Sequence, residues 1–339
     1  MDAASLIAID LAKTMFHLHG VTASGAVLFR RKLRRRQVLG FVSSQPTCRI
    51  VMEACATSHW WARQFEDMGH SVQLIAPAYV KPFVKRQKND MADAEAIAEA
   101  AMRPTMRFVE VKTARQQERT MIFRTRDLLV RQRTQAINAL RAHLAEHGIV
   151  APSGTANLKR LAEVLGDNAA DMPETLRELG HMYLTQIDEQ TLRIRELEKR
   201  LREAAAGNEQ LARLQTMPGV GPITAIAIES FAPDLTVFQR GRDFSAWLGL
   251  VPRQHSTGGK QRLGRISKMG QRDIRRLLIS GAMSVVQWAA RRRDEEGSWL
   301  GRMLARKPKL LVAIALANRM ARAIWAMVSK QENFRPALA

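Results

Sequence analysis

The sequence is poor in cysteine, in acidic residues and in long apolar runs. Its two cysteines, Cys48 and Cys55, are too few for a disulfide framework and lack the spacing of a zinc site. The longest apolar run near the C-terminus, Leu310–Ala317, ends at a polar and a basic residue, well short of a membrane span. The N-terminus lacks the basic flank and cleavage site of a signal peptide. These absences predict a reduced, cytoplasmic protein without a membrane segment.

What the sequence has in excess is positive charge. Lysine and arginine number 53 against 32 acidic residues, which gives a formal net charge of +21. The 339 residues are enough for two or three domains. Hydrophobic residues make up 46% of them, which predicts that the domains are globular. Such a cationic globular chain predicts nucleic acid as the partner, because neutralising phosphates supplies affinity. The run Arg30–Arg36 is the densest patch of this charge, and it suits either a solvated face or a nucleic-acid backbone.

The first hundred residues predict a mixed sheet covered by helices. Three short apolar runs separated by polar turns indicate an antiparallel meander, within residues 5–32. Helical and strand patterns then alternate, with the run CRIVMEA as a fourth strand and SVQLIAP as a fifth. This order of elements is typical of an α/β domain.

The remainder predicts helices. Residues 113–148 form one long basic pattern, and Glu174–Ala206 carries a heptad typical of a coiled coil. The predicted seam could pack within the chain or join two chains, and we slightly favour the second. We expect three domains: an α/β domain at 1–150, coiled-coil and linker helices at 151–207, and an all-α C-terminal domain at 208–339. The predicted seam consists of Leu176, Gly180, Tyr183, Ile187, Gln190, Ile194, Leu197, Leu201 and Ala204.

Four acids stand out by their positions. Asp10 lies in an apolar strand and Glu53 ends the fourth strand, while Asp90 and Asp93 open an alanine-rich helix. If the first and fourth strands are neighbours, all four carboxylates converge at one end of the sheet. Such an oxygen-rich site suits Mg²⁺ or Mn²⁺, and two ions about 3.5–4 Å apart can act on a phosphodiester. The alternative is that Asp10 caps a turn, Glu53 pairs with an arginine, and the other two cap their helix.

Two glycine-containing segments follow in the last third. The segment MPGVGPITA has the form of a helix-hairpin-helix motif, in which Gly219 and Gly221 permit positive φ and close approach to a phosphate. A plain tight turn between core helices explains it equally well.

The second segment is a glycine-rich basic loop, residues 253–269, which we expect to be mobile. It offers Ser256 and Ser267 as hydroxyls, and the spacing selects neither of them; His255 falls on the opposite side from Ser256 if the loop is extended. The alternative is a solvated loop that holds phosphates without chemistry. Its candidate nucleic-acid-binding cations are Arg253, Lys260, Arg262, Arg265 and Lys268.

These motifs resemble a known family. The order Asp10, Glu53, Asp90, Asp93 is similar to the acidic set of RuvC-like nucleases of the ribonuclease H fold. The segments IAIDLAK, VMEAC and KNDMADAEAI resemble sequence motifs of the DEDD transposases of bacterial insertion sequences. Among these the nearest are the bridge-RNA-guided recombinases of the IS110 family, in its IS1111 subgroup. The segment GLVPRQHSTGGKQRLGRISKMG resembles the signature of their C-terminal domain.

The resemblance implies a mechanism and partners. Ser256 would attack a DNA phosphodiester and form a covalent phosphoserine link, with Mg²⁺ or Mn²⁺ held by the four acids. The partners would be donor and target double-stranded DNA, a non-coding guide RNA, and further copies of the chain, as a dimer and as a tetramer in the synapse. Because serine and acids lie in separate predicted domains, the family mechanism implies domain docking. The protein would be bacterial and associated with the nucleoid when bound to DNA.

Two other functions stay open at this point. One is a metal-dependent RuvC-like junction resolvase, in which water attacks and Ser256 only binds phosphate. The other is a DNA-binding protein without enzymatic activity that uses the glycine hairpin.

Overall fold

The structure is a computed structural model that describes residues 3–85, 90–152, 154, 157–167, 172–292 and 297–335. The chain divides into two compact units, Met1–Gln117 and Glu118–Ala339.

The elements of the first unit are, in chain order, β1 (Leu6–Asp10), β2 (Met15–Val21), β3 (Val27–Arg34), α1 (Val38–Ser43), β4 (Arg49–Glu53), α2 (Ser58–Asp67), β5 (Ser71–Ile75), α3 (Pro77–Val80), α4 (Asp90–Ala101) and β6 (Phe108–Val109). The strands form one six-stranded mixed sheet of order β3-β2-β1-β4-β5-β6. Strands β1, β2 and β3 form the predicted antiparallel meander. Strand β4 pairs in parallel with both β1 and β5, so the expectation that the first and fourth strands are neighbours is confirmed. The short antiparallel strand β6 was not predicted.

Each face of this sheet has its own core. On one face, Ile7, Ile9 and Met52 pack with the buried residues of α1 and α2. On the other face, alternate residues such as Ala8 and Val51 pack against α4. The alanine-rich side of α4 lets the helix lie close to the strands, because alanine adds little bulk at the contact.

The second unit is mainly helical and contains one β-hairpin. Its elements are α5 (Ala114–Ala145, whose first residues belong to the first unit), α6 (Leu158–Gly166), α7 (Glu174–Ala205), α8 (Glu209–Gln215), α9 (Pro222–Phe231), α10 (Gly241–Trp247), β7 (Pro252–Gln254), β8 (Leu263–Ile266), α11 (Arg272–Arg291), α12 (Trp299–Leu304) and α13 (Lys309–Lys330). The hairpin means that the all-α prediction for this part of the chain was wrong.

The heptad seam of α7 is buried within the chain itself. Six of its predicted positions are buried. In the N-terminal half of α7, Leu176 and Ile187 pack in one cluster with residues of α5 and α6. At Gly180 a side chain would meet Leu165 of α6 at 2.5 Å, which explains a glycine in the seam. The slightly favoured prediction that these positions join two chains is therefore wrong. The buried seam positions are Leu176, Gly180, Ile187, Gln190, Ile194 and Leu201.

Two ion pairs, each with one buried member, attach α5 to the rest of the second unit. Arg119, 2% exposed, contacts the Glu229 carboxylate of α9 at 2.6 Å. Asp127, 4% exposed, pairs with Arg276 of α11. Breaking a buried pair leaves an uncompensated charge, so these pairs hold the basic helix in one position.

Helix α13 is long enough and apolar enough to cross a membrane by length and composition alone. One of its faces, however, is buried in the core of the second unit against α11. A core helix accounts for its composition.

A close backbone crossing joins the α8–α9 turn to α11. Gly219 has a φ of +86°, and a side chain there would lie 2.8 Å from the carbonyl oxygen of Gly281. A side chain at Gly281 would in turn overlap the carbonyl of Gly219. Both positions therefore require glycine for packing.

We predict that Gly281→Ala lowers the free energy of unfolding by about 1–3 kcal/mol, because the added methyl group must push two backbones apart. Thermal unfolding followed by circular dichroism measures the change. Gly166→Ala is the matched control, since a side chain at Gly166 has open space. Equal melting temperatures for the two variants would contradict the crossing.

Candidate active site

Asp10 and Glu53 occupy equivalent positions on neighbouring strands. Each is the last residue of its strand, and the parallel register pairs Ile9 with Met52, which directly precede them. Because side chains alternate along a strand, Asp10 and Glu53 share the sheet face of Ala8 and Val51, the face that α4 covers. Adjacent strands lie about 4.8 Å apart, so the two carboxylates are close neighbours.

Helix α4 adds a third carboxylate. Asp93 lies in its first turn, and burial raises the pKa of Glu53 above its ordinary value, with the negative charge of Asp93 raising it further. The two acids are therefore near enough to repel each other. Asp90 begins α4, and its side chain lies outside the described residues.

A buried histidine lies beside the acids on the same face of the sheet. His17 of β2 stands directly opposite Asp10 in the antiparallel register and is 5% exposed. The sequence reasoning missed it. The available signal was the alternating strand FHLHG next to a strand that ends in an acid.

The donor set fits a hard divalent cation in chemistry, since it consists of carboxylate oxygens whose mutual repulsion a cation relieves. Within the described part of the chain, no three histidine, cysteine, aspartate or glutamate side chains converge tightly enough to hold a metal by themselves. The described acids thus share one face and one sheet end without forming a closed cage.

The basic loop forms a β-hairpin, which the sequence reasoning did not predict. Strands β7 and β8 pair antiparallel, and the amide of Lys260 donates to the carbonyl of Thr257 at 3.1 Å. Gly258 and Gly259 between them have φ values of +53° and +76°. Two consecutive positive φ angles are the requirement of a type I′ turn, whose twist matches that of the strands.

The base of the hairpin is anchored by a buried arginine that the sequence reasoning missed. One guanidinium nitrogen of Arg275 donates to the carbonyl of Leu248 at 2.7 Å and to that of Met269 at 2.8 Å. These carbonyls lie just before and just after the hairpin. Arg275 therefore holds both ends of it together.

Ser256 is exposed, and its hydroxyl makes no hydrogen bond to the residues that the structure describes. In the register that pairs Gln254 with Leu263, Ser256 falls on the same hairpin face as these two residues. His255 falls on the other face, as expected for an extended segment. The hydroxyl of Ser267 instead accepts from the Met269 amide at 3.4 Å, at the base of the hairpin.

The predicted phosphate-binding cations of this segment are all exposed. The Arg253 guanidinium donates to the Ser267 carbonyl at 3.3 Å, and Lys268 has a φ of +55°. By strand alternation, Arg253 and Arg262 lie on the face opposite Ser256. The exposed set is Arg253, Lys260, Arg262, Arg265 and Lys268.

Of the two glycines in the α8–α9 turn, only Gly219 uses positive φ, and it contacts the chain's own α11. Gly221 precedes α9 with φ −90° and ψ 178°, is exposed, and has open space around it. Packing explains Gly219 without a phosphate, while contact of Gly221 with nucleic acid stays a prediction.

Two family models match the chain. Residues 7–149 match the DEDD transposase model of IS110, and residues 211–296 match the model described as transposase IS116/IS110/IS902 family. A "Probable family 20 transposase" of Pseudomonas aeruginosa is 45% identical over 98% of this chain and 99% of its own length. The chain belongs to the IS110 family of transposases.

Two other relatives carry insertion-sequence names. This transposase is 41% identical to the "Transposase for insertion sequence element IS1328" of Yersinia enterocolitica, over 98% of this chain and 99% of the relative. It is 38% identical to the "Transposase for insertion sequence element IS1111A" of Coxiella burnetii, over 99% of this chain and 92% of the relative. The expected IS1111 affiliation is confirmed, and membership makes DNA the partner and DNA recombination or cleavage the class of reaction.

We predict that Glu53→Gln stabilises the metal-free transposase at pH 7.5. Because the folded-state pKa of Glu53 is raised above its unfolded value, the ionised carboxylate opposes folding at pH values above that pKa. The penalty disappears as the pH falls through the folded pKa and the carboxylate takes up a proton. The check is to measure the melting temperatures of both proteins in EDTA, from pH 7.5 downward through the pKa of Glu53. A variant that melts below the wild type at pH 7.5 contradicts the prediction.

Proposed function

We propose that this transposase cuts and rejoins DNA strands under the direction of a guide RNA, with Ser256 as nucleophile and a metal site formed by Asp10, Glu53, Asp90 and Asp93. The observation that carries the proposal is the position of Asp10, Glu53 and Asp93 at one end of one sheet face. An exposed serine on an anchored basic hairpin supports the second part.

The acids are proposed to hold Mg²⁺ or Mn²⁺. When bound, such an ion polarises a phosphodiester and stabilises the charge that develops on its oxygens. The four carboxylates would bind the ion through oxygen and orient it toward the DNA. Metal use is typical of DEDD transposases, and the repulsion between Glu53 and Asp93 gives a physical reason for a cation at this point.

Ser256 is proposed to carry the covalent step. Its Oγ bonds to the phosphorus and loses its proton to a carboxylate or to water, while the bond to one deoxyribose oxygen breaks and that oxygen takes up a proton. A hydroxyl of another DNA strand then attacks the phosphoserine, which restores Ser256. The phosphodiester energy is conserved, so rejoining needs no external energy source.

Binding of the nucleic acids is assigned to cationic surfaces. The hairpin cations would hold DNA phosphates, and Gly221 would let a backbone approach the start of α9. The guide RNA and the assembly into dimers and tetramers rest on the family resemblance, and the net charge of +21 suits both nucleic acids.

We predict that Mn²⁺ raises the melting temperature of the wild type and that Asp10→Asn removes most of this increase, because the variant loses a ligand carboxylate. Differential scanning fluorimetry with and without MnCl₂ measures it. Glu99→Gln is the control, since Glu99 lies on α4 in an exposed pair with Arg103. An equal Mn²⁺ response in Asp10→Asn and wild type would argue against the metal site. DNA binding without cleavage by the wild type, unchanged in Asp10→Asn, would favour a DNA-binding protein without enzymatic activity.

We predict that the wild type forms an SDS-resistant adduct with the DNA of its own insertion sequence and that Ser256→Ala abolishes it. The expected loss is complete, because alanine has no atom that can bond to phosphorus. Ser267→Ala is the matched control, since its hydroxyl accepts a hydrogen bond within the chain. Cleavage that persists in Ser256→Ala without an adduct would identify a junction resolvase in which water attacks.

A further inference from the structure

The acidic centre belongs to a row of residues that crosses four strands. Glu53 neighbours Asp10, Asp10 stands opposite His17, and His17 stands opposite Lys32 of β3. Directly opposed residues in a sheet lie on the same face. Lys32 therefore shares the sheet face of the acids, two strands away from Asp10, and Arg34 follows on that face at the same end of the sheet.

Strand β3 and the turn after it form the most cationic part of the chain. Six of the seven residues Arg30–Arg36 are arginine or lysine, and no acidic residue occurs from residue 11 to residue 52. Strand β3 is also an edge strand, with β2 on one side. Within the described sheet no strand covers its other side, so a ligand has access to this edge.

The cations of β3 divide between two faces. Arg31 lies on the far face, with its guanidinium 5.6 Å from the ring centre of Phe41. Arg30 lies on the face of the acids and is engaged with Glu95 of α4 at 3.2 Å. Lys32 and Arg34 are exposed on that same face, and neither forms an ion pair with a residue that the structure describes. Two cations that have no ion-pair partner among the described residues are thus aligned with the acidic centre.

We propose that Lys32 and Arg34 bind backbone phosphates of the DNA strand whose scissile phosphate lies at the acidic centre. The proposal rests on the proposed function for the identity of that centre. Two strand spacings separate Lys32 from Asp10 by about 10 Å, which corresponds to roughly three nucleotides at about 3.4 Å each. The pair therefore acts on phosphates beside the reacting one and aligns the strand across the sheet face.

The test compares two variants with the same loss of charge, Lys32→Gln/Arg34→Gln and Arg31→Gln/Lys159→Gln. The control pair combines the cation on the far face of β3 with an exposed lysine of α6. Fluorescence anisotropy of the full-length protein with a short labelled DNA duplex, in EDTA, measures affinity without catalysis. We expect roughly tenfold weaker binding for Lys32→Gln/Arg34→Gln, with the slope of log K against log salt reduced by about two. Equal affinities for the two variants would overturn the proposal.

Two further arms locate the contact. If Lys32→Gln/Arg34→Gln weakens binding of an RNA stem but not of the DNA duplex, the surface binds RNA and the proposal fails.

The second experiment uses the DNA of the insertion sequence with neutral methylphosphonates two to four nucleotides from the cleavage point. These should weaken binding by the wild type and not further weaken binding by the variant. Equal weakening in both overturns the position of the contact. Because these readouts measure binding, they stand even if the Ser256 adduct is not found.

Discussion

The parallel pairing of β1 with β4 is the constraint on which the candidate site depends. A slip of one residue in this register would turn Asp10 or Glu53 toward the core of α1 and α2. Buried Ile9 and Met52, paired in register directly before the two acids, resist such a slip because they would have to leave that core. The hydrophobic core thus determines where the charges lie, and the cationic edge strand takes its position from the same register through β2.

The elements of the first unit could largely be predicted because strands β1, β2, β4 and β5 are compact apolar runs between polar turns. The proximity of Asp10 and Glu53 followed from one assumption about strand order, which the structure confirms. The alternating strand FHLHG indicated that His17 shares a face with its neighbours, but its pairing with Asp10 depends on the length and shape of the turn between β1 and β2. Strand β6, two residues long, is too short to leave a periodic pattern.

The second unit shows where local patterns mislead. The glycines of the basic segment indicated an irregular loop, yet two adjacent glycines with positive φ are what a tight hairpin requires, and only the pairing of β7 with β8 reveals the hairpin. The heptad of α7 is real, but α5 and α6 of the same chain cover its N-terminal half. A heptad pattern predicts which face of a helix is buried, but it does not predict which element covers that face. Arg275 escaped notice because its carbonyl partners are backbone atoms.

The exposure of Ser256 has a consequence for when the proposed cleavage of DNA could begin. A serine hydroxyl in water keeps its proton at neutral pH, and on this hairpin His255 and the nearest cations lie on the opposite face. Under the proposed mechanism, Ser256 would therefore stay unreactive toward DNA until a group that can take up its proton comes within reach. A transposase bound along the chromosome with its hairpin exposed would then leave the host DNA uncut, and cleavage would begin only when the proposed site is assembled.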